Sequence, residues 1–102
     1  VLYNYGDENQ ALKQIWDKMP QAANTETELS QPISLDDFYP EDKDYYNFEG
    51  SLTTPPCTEG VNWIVFKNQE TVSKEQVEKF TQTLGFKNNR PIQDTNGRQI
   101  KE

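Results

Sequence analysis

The chain has 102 residues, of which 32% are hydrophobic and 12% aromatic, and its formal net charge is −7. A chain of this length forms one domain at most, and its aromatic content is too high for a disordered, solvated tail. The acidic charge disfavours binding to nucleic acid or to an anionic membrane surface, and no apolar run approaches the roughly 20 residues of a membrane span.

Histidine is absent from the chain, and Cys57 is its single cysteine. This composition excludes a His-ligated metal site, a Ser-His-Asp triad and a Cys-His pair within these residues. Any zinc chemistry therefore needs ligands from elsewhere, and we expect no metal ligand in this chain.

The first half of the chain predicts a strand, a helix and a short helical turn. Residues 1–5 (VLYNY) read as the end of a strand, and because this pattern starts at the first residue, we expect the chain to be cut from a longer one. Asn9 is a plausible cap for a helix that Pro20 ends. The apolar residues of this helix recur at i, i+3, i+4 and i+7, namely Leu12, Ile15, Trp16 and Met19. A polar surface loop covers residues 21–31, and a short turn of helix is expected within residues 32–40.

The second half predicts two strands and a second helix. Residues 45–51 (YYNFEGS) are aromatic and extended, and residues 61–66 (VNWIVF) form the clearest strand because β-branched and aromatic residues dominate them. Ser73 and Gln76 form a capping-box pattern, and Gly85 suits the end of the helix that follows. The stripe of that helix consists of Val77, Phe80, Thr81 and Leu84. Strands and helices are mixed without βαβ regularity, so the predicted fold class is α+β.

Three segments resemble the α-class carbonic anhydrases. The string GSLTTPPCTEGVNW, residues 50–63, is long enough to be specific. GDENQALKQIW (residues 6–16) resembles the helix after the family's zinc-bearing strands, and NNRPIQDTNGRQI (residues 88–100) resembles the family's C-terminal segment. The resemblance covers nearly the whole chain. It implies that residues 1–102 are the C-terminal portion of one carbonic anhydrase domain of bacterial type, with a large twisted, mostly antiparallel sheet, peripheral helices, and the zinc ligands upstream of Val1.

The resemblance implies an enzyme of the carbonate dehydratase class, a zinc lyase that hydrates carbon dioxide reversibly to bicarbonate and a proton. In this family a zinc ion converts a bound water into hydroxide. The resemblance assigns Thr53 the catalytic role of accepting the hydroxide proton while it gives its own proton to an upstream glutamate. A threonine hydroxyl can fill both roles because it donates and accepts at once. These 102 residues alone are expected to be inactive and to bind no zinc tightly.

The resemblance also implies a substrate site made of Leu52, Thr53, Thr54, Val61 and Trp63. Val61 and Trp63 are two residues apart on a strand and so face the same side, where they and Leu52 would form a dry wall for carbon dioxide. Thr54 would contact bicarbonate. Without the motif, Val61 and Trp63 fit an ordinary core, and the two roles do not exclude each other. Pro55-Pro56 matches the position of a cis bond in the family.

In secreted and bacterial relatives, a cysteine after LTTPP pairs with one near the N-terminus of the domain. The resemblance therefore implies a disulfide between Cys57 and a cysteine outside this chain, and a periplasmic or secreted protein. Two alternatives to an active enzyme stay open. One is a catalytically inactive relative that serves as a binding module after losing its histidines, and the other is a partial product with no role of its own.

Overall fold

The computed structural model describes all 102 residues, Val1–Glu102. The elements, in chain order, are strand β1 (Tyr3–Tyr5), helix α1 (Gln10–Trp16), a 3₁₀ helix (Leu35–Phe38), strands β2 (Tyr45–Ser51), β3 (Glu59–Phe66) and β4 (Glu70–Val72), and helix α2 (Lys74–Leu84). The strands form two separate pairs: β1 is parallel to β4, and β2 is antiparallel to β3. This mixture confirms the predicted α+β class.

The β1–β4 pair and the two α-helices make up what we call the helical unit. Asn9 caps α1, since its side chain accepts a hydrogen bond of 2.9 Å from the backbone N–H of Leu12. The capping box predicted for α2 is present, and Gly85 ends that helix at φ 80°. Trp16 and Phe80 stack with their ring centroids 5.2 Å apart, which joins the predicted apolar stripes of the two helices.

Helix α1 ends earlier than its apolar spacing predicts. The α-helical residues stop at Trp16, and the chain then turns through bonds from Lys18 to Ile15 and from Met19 to Trp16, each closing three residues back. Pro20 is the physical reason, because a proline disfavours the α conformation of the residue before it. Met19 nevertheless stays half-buried.

The β2–β3 pair and residues 90–102 make up what we call the hairpin unit. Phe48 lies opposite Trp63 and Gly50 opposite Val61, and the register shifts between Gly50 and Ser51. Strand β3 begins at Glu59, two residues before its predicted start, because Ser51 pairs with that residue after the shift. The tail is more ordered than a polar segment predicts, since the backbone of Lys101 exchanges two hydrogen bonds of 2.8 Å with Asn47.

Little of the molecule is enclosed. Five of the 102 residues are buried, and no side chain is completely shielded from solvent. The large apolar side chains that are most exposed are Tyr5, Leu35, Phe86 and Ile92. None of the helices has the length and apolar character that crossing a membrane requires. Exposed apolar surface of this kind is typical of side chains that pack against another segment.

Candidate active-site loop

Residues 52–58 connect β2 to β3 and form a loop that closes on itself. The backbone N–H of Leu52 donates to the carbonyl of Thr58 at 2.9 Å, and that of Cys57 donates to the carbonyl of Thr54 at 2.8 Å. The Pro55-Pro56 bond is cis, as the resemblance implied. Cys57 has a φ of 56°, in the left-handed region. The loop therefore has a defined shape that its own backbone bonds maintain.

The predicted site residues on the loop are exposed to solvent, and those on strand β3 are half-buried. Thr53 and Thr54 are exposed, and Leu52 is 43% exposed. Val61 and Trp63 are half-buried and, two residues apart on β3, share one face of the sheet. The polar cavity of about 390 Å³ beside the loop is lined by Ser51 and Arg90 but not by Leu52, Thr53 or Val61. The site roles of these residues stay predictions.

Trp63 connects the strand to the beginning of the loop. Its indole lies parallel to the ring of Phe48, at an interplanar angle of 9° and a centroid distance of 6.4 Å. The indole Nε1–H donates to the carbonyl of Ser51 at 3.0 Å. A Cβ on Gly50 would come within 2.7 Å of Trp63 Cδ1, so only glycine leaves room for the ring at this position. The indole thus fixes the last residue of β2 from across the sheet.

Sequence reasoning missed two residues that hold the loop, Ser51 and Arg90. Ser51 Oγ donates to the carbonyl of Leu52 at 3.0 Å and accepts from Arg90 Nη1 at 3.1 Å. Nothing in the sequence pointed to this pairing, because 39 residues separate Arg90 from Ser51. The one available signal was the position of Ser51, directly before the LTTPP string.

The chain does not supply a metal centre by itself. No group of three or more His, Cys, Asp or Glu side chains is placed to hold a metal ion, and Cys57 is a half-buried free thiol. The residues present therefore do not fit a zinc ion unless other ligands join them. The groups with shifted pKa values lie in the helical unit: burial and then Glu70 raise the pKa of Tyr3, while a mutual hydrogen bond raises the pKa of Lys13 and lowers that of Asp17.

The sequence profile of the family described as eukaryotic-type carbonic anhydrase matches residues 1–102. The chain belongs to this family. It is 46% identical over 102 residues to a carbonic anhydrase of Neisseria gonorrhoeae and 42% identical over 102 residues to one of Klebsiella pneumoniae, and covers 40% and 42% of those proteins. A solved structure of the α-carbonic anhydrase from Thermovibrio ammonificans, in complex with the inhibitor sulfanilamide, matches with a TM-score of 0.94 and 45% identity. That match covers 100% of this chain and 45% of the other.

These likenesses confirm the family resemblance and the fold predicted from it. The chain has the fold of part of an α-carbonic anhydrase, and it spans less than half the length of the carbonic anhydrases that it matches. The closed loop with its two threonines and two prolines thus lies in a chain of the carbonic anhydrase family.

Proposed function

We propose that the protein carrying this chain is a carbonic anhydrase, a zinc lyase that hydrates carbon dioxide reversibly to bicarbonate and a proton. The observation that carries this proposal is the intact Leu52–Cys57 part of the loop, closed on a hairpin in a chain that belongs to the carbonic anhydrase family throughout. The chain contributes one wall of the active site, and the rest of the site comes from residues outside these 102.

The zinc that this activity uses would supply a hydroxide at neutral pH. The chain has no histidine and no cluster that could hold the ion, so we assign its ligands to sequence upstream and attribute no step at the metal to these residues. What this chain can do is hold and pass protons at the hydroxyl of Thr53. That hydroxyl is exposed and is able to accept one hydrogen bond while it donates another.

The apolar part of the proposed site suits carbon dioxide. Carbon dioxide is apolar and linear, so it binds better to a dry hydrophobic wall than to a polar one. Leu52 presents an apolar side chain that is 43% exposed at the start of the loop, and Val61 and Trp63 share a sheet face. Thr54, next to Thr53 on the exposed loop, would contact the product bicarbonate.

The experiment is carbon dioxide hydration by the zinc-loaded, full-length protein, measured by stopped-flow pH indicator. Thr53→Ala is expected to lower kcat/KM about 10- to 100-fold, which is typical when a group that orients metal chemistry is removed. Thr58→Ala is the matched control, because its exposed side chain lies at the other end of the same loop and only its carbonyl supports the loop. Full-length wild-type protein that takes up no zinc and shows no hydration above the uncatalysed rate would instead favour the inactive binding module.

We also propose that Cys57 forms a disulfide with a cysteine outside this chain and that the protein works in the periplasm or outside the cell. The thiol has no possible partner among these residues, because Cys57 is the only cysteine. A half-buried position at the end of a closed loop suits a covalent tether. Non-reducing peptide mapping of protein purified from the oxidising compartment tests the pairing, and a free Cys57 in that material would contradict it.

A further inference from the structure

We propose that Ser51 and Arg90 are positioning residues that set the orientation of the Thr53 peptide, an inference that rests on the carbonic anhydrase function proposed above. The two residues form a chain of hydrogen bonds that ends on the loop. Arg90 Nη1 donates to Ser51 Oγ at 3.1 Å, and Ser51 Oγ donates to the carbonyl of Leu52 at 3.0 Å.

The last bond of this chain acts on the peptide that carries Thr53. The carbonyl of Leu52 and the N–H of Thr53 belong to the same peptide group, which is planar. A hydrogen bond that fixes the carbonyl therefore also fixes the direction of the Thr53 N–H and the position of its Cα. The neighbouring N–H of Leu52 is already held by the carbonyl of Thr58, so Ser51 controls the next peptide plane.

Arg90 determines which way the Ser51 hydroxyl points. A serine hydroxyl has one proton and rotates freely, so alone it could donate to several acceptors. Because the guanidinium occupies an acceptor position on Oγ, the hydroxyl proton is directed to the Leu52 carbonyl. A cationic donor also polarises the hydroxyl and so strengthens its own donation.

The remaining contacts of Ser51 hold its backbone in place. Its carbonyl accepts from the Trp63 indole at 3.0 Å, and it lies where the β2–β3 register shifts. A register shift turns a strand locally, so the side chain that follows it is re-aimed. Arg90 borders a polar cavity of about 390 Å³, into which water can follow when its side chain is shortened. Variants at Arg90 should therefore fold.

The test uses the full-length, zinc-loaded protein with Ser51→Ala, Arg90→Gln and the conservative Ser51→Thr, which keeps the hydroxyl. We expect Ser51→Ala and Arg90→Gln to lower kcat about tenfold with little change in KM, and Ser51→Thr to stay near wild type. Independently of activity, hydrogen exchange of the Leu52 and Cys57 amides should accelerate about tenfold in the first two variants, as one lost hydrogen bond implies. Gln93→Ala, which lines the same cavity, is the control.

Two results overturn the inference while leaving the function intact. One is an active wild-type protein in which Ser51→Ala matches wild type within twofold in both kcat and loop exchange. The other is faster exchange across the whole hairpin unit, which would mean that Ser51 only stabilises the fold. An inactive wild-type protein would instead contradict the proposed function, and the exchange data would still show whether Ser51 and Arg90 hold the loop.

Discussion

The helical unit and the hairpin unit are held together by different interactions. In the helical unit, Ala11 and Val72 are buried and the rings of Trp16 and Phe80 stack between the helices. In the hairpin unit, the indole of Trp63 stacks on Phe48 and lies against a buried glycine, Gly50, and further support comes from hydrogen bonds. That support reaches back from the C-terminal segment, through Arg90, Arg98 and Lys101.

The difference shows how the loop can be shaped without a closed core beneath it. Hydrophobic burial is non-directional, so it holds the helices together without fixing any one peptide plane. Hydrogen bonds to named carbonyls are directional, and they fix the edge of the hairpin from which the loop extends. We therefore expect substitutions in the helical unit to act on stability, and substitutions around the loop to act on local geometry as well.

The largest expected effect on stability is in the helical unit, at Gln76. Its side chain is 7% exposed in relative area, accepts from the N–H of Asn9 at 2.8 Å and of Ser73 at 3.1 Å, and donates to the carbonyl of Asn9 at 2.9 Å. Gln76→Ala leaves the N–H groups of Asn9 and Ser73 without their acceptor, while the carbonyl of Asn9 keeps its bond from the N–H of Lys13. The loss should lower the free energy of unfolding by about 3 kcal/mol. Denaturant unfolding of the protein measures this.

The control for this prediction is Gln82→Ala, an exposed residue on the same helix. Its effect should stay within about 0.5 kcal/mol, as for most surface substitutions. Equal losses for the two glutamines would show that the hydrogen bonds of Gln76 add little to the apolar packing of the two helices.

A pair of glycines compares the two units directly. A Cβ on Gly50 would lie 2.7 Å from Trp63 Cδ1 and 3.0 Å from Nε1, whereas one on Gly6 would lie 3.2 Å from the exposed Thr71 methyl. The indole is held by a stacked ring and a hydrogen bond, so Gly50→Ala should cost about 1–3 kcal/mol by overpacking. Gly6→Ala should cost less because the Thr71 side chain can rotate. Unfolding free energies and the NMR signal of the Trp63 indole N–H test this, and an unmoved signal would contradict it.

The sequence predicted the helical unit well because its determinants are local. The capping box spans Ser73 to Gln76, and Gly85 follows the last apolar residue of the stripe, so each signal lies within a few positions of the structure that it specifies. Strand β4 was missed, since three residues carry no periodicity that could be recognised. Its pairing with β1 depends on residues more than 60 positions away.

The sequence predicted the loop and the strand of the candidate site but not the side chains that hold them, and the roles of the site residues stay predictions. The string of residues 50–63 gave the family, the loop and the strand, all of which the comparisons and the fold confirm. The bonds from Arg90 to Ser51 and from Arg98 to Glu49 span 39 and 49 residues. A side chain that meets a distant carbonyl or hydroxyl leaves no pattern in the sequence, so only the structure shows it.

Substitution of Arg98 in the hairpin unit should have a smaller effect on stability. Its guanidinium donates to three carbonyls at 2.8 Å each, those of Glu49, Asp94 and Thr95. Arg98→Lys keeps the charge, but a single ammonium cannot match the planar fork, so we expect a loss of about 1 kcal/mol. Chemical unfolding measures the loss, with Lys87→Gln on an exposed residue as the control. A variant as stable as wild type would show that the bonds from Arg90 and Lys101 hold the tail without Arg98.

The smallest expected effect is the pH dependence of the ion pair on α1. Lys13 Nζ donates to Asp17 Oδ2 at 2.7 Å, and this bond lowers the pKa of Asp17 and raises that of Lys13. A carboxyl with a lowered folded-state pKa stabilises the fold above its ordinary pKa, and this stabilisation is lost as the pH falls through the folded value. For Lys13 the sign is reversed, so its stabilisation is lost as the pH rises through its raised pKa.

The difference in Tm between wild type and Asp17→Asn should therefore be greatest near neutral pH and shrink towards both extremes. The side chains of Lys13 and Asp17 are 44% and 51% exposed, so solvent screens the pair and the effect is small. Added salt should reduce it further. Glu28→Gln, in the exposed loop, is the matched control for loss of a carboxylate. A difference between wild type and Asp17→Asn that stays constant from acid to alkaline pH would mean that Asp17 acts through its position at the end of α1 rather than through its charge.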